Sequence, residues 1–358
     1  MTALRFFPLV ALWVAPVAAQ TVSRHTLRGP DVALYDLAGT VQLEPGSGDA
    51  VTVELTRGGA DAAQLKVAEG DLRGRATLRV IYPGDRIRYP QMSDGSTELS
   101  VREDGTFGGH SHRHDHDGDE DDDAGGGRRV RIASRESGLE AWADLRVMVP
   151  PGQALAVHLA VGKLTATNVN GRLRLSAAAA PVAVNGSKGD LSVEVGSGDV
   201  RLTGVEGEIR ASTGSGGVEL TRARGGKVAG ETASGGVAVS GVEAEQLDLK
   251  TGSGDIRVTG AKAPRVGVET GSGTVAVELR GALDRLDVET GSGDVAITAP
   301  AGLSANLVID TGTGEITTDF PLAVTRSAHD HLRGTIGDGK GQISVETGSG
   351  EVRLLKSK

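Results

Sequence analysis

Four histidines alternate with other residues at His110, His112, His114 and His116, and acidic side chains crowd in behind them. Imidazole nitrogens beside carboxylates such as Asp115 and Asp117 form a donor set suited to Zn²⁺, Ni²⁺ or Cu²⁺. The metal expectation therefore rests on His110, His112, His114, His116, Asp115 and Asp117. No resident cofactor is expected, only a loosely bound divalent ion. The alternative reading is a solvated acidic loop. The stretch from Glu103 to Arg128 is charged, glycine-rich and of low complexity, which reads as a disordered insert inside a hairpin. Donors on such a segment must order when they bind, which weakens affinity and selectivity. His329-Asp330-His331 is a smaller second group, for which ordinary loop histidines are the simpler reading.

Other chemistries find less support. The chain has no cysteine, so thiol catalysis and disulfides are excluded. No Gly-x-Ser-x-Gly elbow occurs, and the recurring serines have no histidine at matching spacing. Outside the first 20 residues the aromatics are Tyr35, Tyr82, Tyr89, Phe107, Trp142 and Phe320. That is too few along the repeats for a groove that stacks sugar rings. A carbohydrate-active enzyme is the third-ranked reading, and the expectation is a protein that is not an enzyme.

One phrase positions everything else. It reads Val-Gly-Ser-Gly-Asp-Val at 195–200 and returns, with small changes, from 213, 232, 251, 270, 290, 311 and 347. Successive first residues differ by 18, 19, 19, 19, 20, 21 and 36. The last gap is two periods, so a worn copy is expected near Ser327 to Gly341. A fixed period of this size means stacked repeats. Within one copy, Leu286, Val288 and Thr290, then Val295 and Ile297, alternate with polar residues. That is the pattern of half-buried strands around a glycine turn. Two short strands cannot bury their apolar face alone, but stacked copies can. The expected fold is all-β, a single-chain β-solenoid (β-helix) of about 19-residue coils. The crossover rule expects it to be right-handed. Coils stacked about 4.8 Å apart would give a rod on the order of 50 Å long.

The acidic residue that closes several turns invites a calcium reading. Asp199, Asp255 and Asp294 alternate with Gly217, Gly236, Thr274, Glu315 and Glu351, and a ladder of ligands does not tolerate glycine. Turn chemistry is the better account.

Domain organisation follows. Residues 1–20 read as a signal peptide, with Arg5, an apolar run from Phe6 to Val14 and small residues at Ala18-Ala19. Residues 21–102 form a less regular β region that caps the solenoid, 103–128 the insert, and 129–358 the repeat domain. No membrane-spanning segment is expected once the signal is removed. A net charge of −9 gives no electrostatic case for nucleic acid. The chain is expected to be exported, to the periplasm or the cell surface.

The Thr-Gly-Ser-Gly-Asp-Val copies, the lead-in from Leu145 to Gly152 and the closing Arg333-Gly334-Thr335-Ile336-Gly337-Asp338-Gly339 together resemble the bacterial putative-adhesin repeat family. This is a domain of unknown function found in envelope and exported proteins, and the resemblance covers about 32 to 354 apart from the insert. The family name implies adhesion. The repeat array, the export signal and the lack of a catalytic constellation give the expectation of a non-catalytic, adhesin-like scaffold that meets an envelope or surface partner, and the ends of the rod add end-to-end self-association as a further expectation.

Overall fold

The computed structural model describes residues 22–92, 95–108 and 127–357. Among them the only helical element is one turn at Ala62–Gln64. Each coil places one strand in each of two long parallel sheets. In the first sheet the strands stack in unbroken register: Leu191 lies beside Ile209, then Val228, Leu247, Val266 and Leu286. In the second, Val200 is followed by Val218, Val237, Ile256, Val275 and Val295. A third, narrow side carries single bridges running Asn170, Lys188, Glu206, Arg224, and then Glu243 to Lys262. Ion pairs Lys188–Glu206 at 2.9 Å and Arg224–Glu243 at 3.3 Å reinforce it.

The apolar rows predicted from alternation face inward. Leu286, Val288, Val295 and Ile297 are buried, as are most of their counterparts from Val193 to Leu354, with Ile316 in the last-stacked coil half-buried. The β-solenoid expectation therefore holds. Two strands of 15 residues, Asp31–Pro45 and Gln153–Thr167, start the column. Each contributes to both sheets, and they lie parallel from Val32 beside Leu155 to Val41 beside Leu164.

Strands that join Asp31–Pro45 in parallel and then pair antiparallel among themselves close this first end. Val51–Gly58, Val22–Leu27 and Trp142–Val149 extend the second sheet, and Arg75–Ile81 with Lys66–Leu72 extends the first. A separate small sheet joins Arg86–Arg88, Arg128–Ala133 and Ser96–Val101. Leu99 faces Val130 in it, as the hairpin reading of those segments required.

The far end corrects the expectation of a worn coil. Copies do not stack in chain order there. The last copy, Gly341–Thr347 and Val352–Lys356, sits between the copy at 285–299 and the copy at 305–318. Residues expected to form the worn coil instead make an antiparallel hairpin, Ala323–Ser327 with His331–Ile336. His331–Ile336 also runs antiparallel to Ala305–Thr311 and closes the column. A translation by two periods brings an equivalent motif to the same face in either order, so spacing alone could not reveal the exchange.

Candidate functional site

The repeat motif itself is structural. The threonine that opens most copies is buried, and from Thr213 to Thr270 its hydroxyl donates to the carbonyl of the glycine that follows the motif serine in the neighbouring coil. Thr232 to Gly216, at 3.0 Å, and Thr251 to Gly235, at 2.9 Å, show the pattern. The closing aspartate caps the next coil. Gly217 N–H donates to Asp199 at 3.0 Å, Thr274 N–H to Asp255 at 2.8 Å and Glu351 N–H to Asp294 at 2.9 Å. These carboxylates are occupied by backbone donors, which is the turn role expected of them rather than a calcium ladder.

The proposed metal ligands His110, His112, His114, His116, Asp115 and Asp117 lie outside the described residues. His329-Asp330-His331 does not converge. His331 pairs through Nδ1 with Asp310, while His329 and Asp330 are exposed in the hairpin turn. Among the described residues no three His, Asp or Glu side chains cluster to hold a metal ion.

A different group of residues does converge, on the outer face of the first sheet. Parallel register turns every outward position into a row along the rod. One row runs Ala156, Arg174, Ser192, Arg210 and Ala229. The row beside it contains Ala154, Arg172, Asp190, Glu208 and Lys227. The small residues leave a groove of about 530 Å³ between the long ones. Two of its cations are already engaged, Arg75 with Asp31 at 2.8 Å and Lys227 with Asp248 at 3.3 Å. Arg172, Arg174 and Arg210 are exposed, and their side chains make no hydrogen bond or ion pair among the described residues.

An aromatic group stands beside the groove in the third outward row. Tyr35 and His158 occupy adjacent rungs with their rings stacked at 4.5 Å and 6°. Phe107 meets Tyr35 edge-on at 5.9 Å and His158 at 6.4 Å. Burial, with the charges of Arg75 and Arg174, lowers the His158 pKa to about 4. The ring is therefore neutral at pH 7, and its Nδ1 is buried without a partner. Position in the sequence gave no sign of this meeting, because 51 residues separate Phe107 from His158. The Arg rows were legible in principle, since Arg174 and Arg210 lie two periods apart.

A further ionisable pair lies wholly inside the cap. Tyr82 Oη lies 2.8 Å from Asp36 Oδ1 and 2.9 Å from the Ala38 carbonyl oxygen. One hydroxyl hydrogen cannot serve both acceptors fully. Burial pushes the Asp36 carboxyl well above its ordinary range. A protonated Asp36 can donate to Tyr82, which then donates to Ala38. Closed off from solvent, the pair is a structural linkage.

No curated protein matches the chain. Among solved structures, a putative cell adhesion protein from Clostridium sporogenes aligns over 94% of this chain and 100% of its own, at 7% identity and a TM-score of 0.18. The Toastrack DUF4097 family model matches residues 145–355, which are the repeats and their lead-in strand and leave the cap outside the match. That match spans more than half of the sequence, and the chain belongs to the Toastrack DUF4097 family.

Proposed function

We propose that this chain is an exported, non-catalytic rod whose outer sheet face engages a partner in the cell envelope. The observation that carries the reading is the groove itself, which gathers Arg172, Arg174 and Arg210 on one face as three exposed cations whose side chains have no partner among the described residues. Exposed charges that a fold does not use are available for recognition. The rod supports this use. Its coils are held by continuous ladders and an unbroken core, so the face keeps its geometry without a ligand. The groove offers guanidiniums and carboxylates but no buried acid–base pair, and the titratable pair that is strongly shifted, Asp36 with Tyr82, is sealed in the cap.

The test uses the full chain, fluorescently labelled, with washed envelope material and a panel of polysaccharides. Saturable retention on the envelope, with no reducing ends released from the panel, is the expected result. Absence of retention would overturn the interaction half of the reading. Release of reducing ends that disappears in Asp190→Asn would overturn the non-catalytic half.

A further inference from the structure

We infer that the groove over Arg172, Arg174 and Arg210 is a binding site for an acidic polysaccharide, a linear sugar chain carrying carboxylates. The inference rests on the interaction reading above and names the chemistry of its partner.

The first argument is the kind of cation. All three free groups are guanidiniums, whose planar fork bonds a carboxylate through two parallel N–H donors. Arg174 and Arg210 stand two rungs apart in one row, about 9.6 Å along the rod, with Ser192 between them. Arg172 sits two residues from Arg174 on the same face of its strand. The cations thus run along the rod axis and suit an extended ligand with charges at intervals.

The second argument is what accompanies them. Asp190 and Glu208 are exposed in the neighbouring row and, like the arginines, have no partner among the described residues. A uniformly anionic chain such as polyphosphate would be repelled by these carboxylates. A sugar chain presents hydroxyl donors as well as carboxylates, so it can satisfy both rows.

The third argument excludes a peptide. Every strand under the groove is paired on both sides, for example Gly171–Ala179 between Gln153–Thr167 and Leu191–Ser197. No backbone edge is free to take an added strand. The floor is of small side chains, Ala154, Ala156, Ser192 and Ala229, and Leu155, Leu173, Leu191 and Ile209 between them are at most 4% exposed, which leaves little apolar surface to seat a side chain. Only side-chain hydrogen bonds remain, which is how a polar, flat polymer is recognised. The net charge of −9 opposes any polyanion at long range, but at physiological salt that field decays over about 8 Å and the local arginines dominate.

The experiment is affinity electrophoresis of the full chain through gels containing polygalacturonate, dextran, polyglutamate or polyphosphate, repeated at rising salt. Retardation by polygalacturonate alone, weakening with salt, is expected. Arg174→Gln and Arg210→Gln should each weaken it about tenfold, and the double variant more. Arg257→Gln, on the outer face of the second sheet, should leave it unchanged. Asp190→Asn with Glu208→Gln should weaken polygalacturonate binding and strengthen polyphosphate binding. Three results would overturn the proposal: no retardation by polygalacturonate, equal retardation by polyglutamate or polyphosphate, or full retardation of the double arginine variant. Envelope retention measured on the parent chain beside the gels separates the two readings. Retention kept while polygalacturonate fails to bind at all sinks the polysaccharide assignment alone. Polygalacturonate binding without any envelope retention sinks the scaffold reading alone.

Discussion

At the scale of single residues, two buried titratable groups act on stability in opposite directions with pH. Asp36 holds its proton in the folded state at pH values where the unfolded chain, at about 3.9, has released it. Its contribution is therefore full below that unfolded value and is lost as pH rises toward the raised folded one. His158 behaves in reverse. Its folded pKa is down to about 4, so its contribution is full above the unfolded value of about 6.5 and is lost as pH falls through that window. Asp36→Asn keeps a neutral, hydrogen-bonding group in the same place. The variant should gain melting temperature over the parent at pH 8 and lose that advantage at pH 3.5, as read by calorimetry at both pH values. An advantage that does not change with pH would mean Asp36 is charged in the fold. His158→Phe preserves the stack on Tyr35 and removes the ring nitrogens, and its melting temperature should fall less than the parent's between pH 7 and pH 4.5.

The motif glycines show how narrowly single positions are constrained. At Gly254 φ is +145°, and a methyl group there would lie 2.1 Å from the Gly235 carbonyl oxygen of the coil below. Gly252 has ordinary backbone geometry, and the matching place one copy earlier already holds Ala233. Gly254→Ala should cost about 3 kcal/mol and Gly252→Ala about 1 kcal/mol, measured as shifts in the urea midpoint. Equal costs would show that coil spacing, not backbone conformation, sets the demand for glycine.

At the scale of elements, the ladder explains which parts could be read from the sequence. Alternation marked the strands, the glycine phrase marked the corners, and the period supplied the stacking, because one coil's apolar face needs the next. The role of the leading threonine was not legible. Thr251 occupies an inward position in the alternation and reads as an apolar substitute, yet its hydroxyl reaches a carbonyl one coil away. The aspartate contacts are also between coils. Asp255→Ala removes the acceptor of the Thr274 N–H, a hydrogen bond at an exposed turn. It should lower stability by about 1 kcal/mol, with the loss of amide protection confined to the turns at 253–256 and 272–275, as read by hydrogen exchange. The groove was hidden for a different reason. Its free cations come from two strands 36 residues apart and look like ordinary solvent-facing charges until the register lines them up. The aromatic trio was hidden because Phe107 reaches Tyr35 and His158 through a tertiary contact with no local sequence signal.

At the scale of the whole molecule, the order of coils at the far end sets how the column closes. Stability in stacked repeats is nearly a sum over neighbours, so losing a terminal repeat normally costs one interface. Here the chain's last coil is an interior one. Leu286 packs beside Ile343, and Ile343 beside Leu307, so residues 341–356 separate two coils that precede them in sequence. The strand Ala305–Thr311 therefore has no parallel neighbour except the last copy, and its other edge is held by His331–Ile336. Truncation after residue 340 removes both ladders that join the 305–318 coil to the column. Amide protection should then vanish throughout 305–336 while 191–258 keeps the protection it has in the full chain. The truncated protein should also expose the strand Arg285–Ser292 as a new edge, and such edges pair with other chains. Sedimentation should accordingly show more association than the full chain does under the same conditions, reversed by adding a peptide of residues 341–356 that restores the missing ladder. Protection retained across 305–336 after truncation would show that the 305–318 coil docks directly on the 285–299 coil, and that the last copy merely wedges between coils able to stack without it.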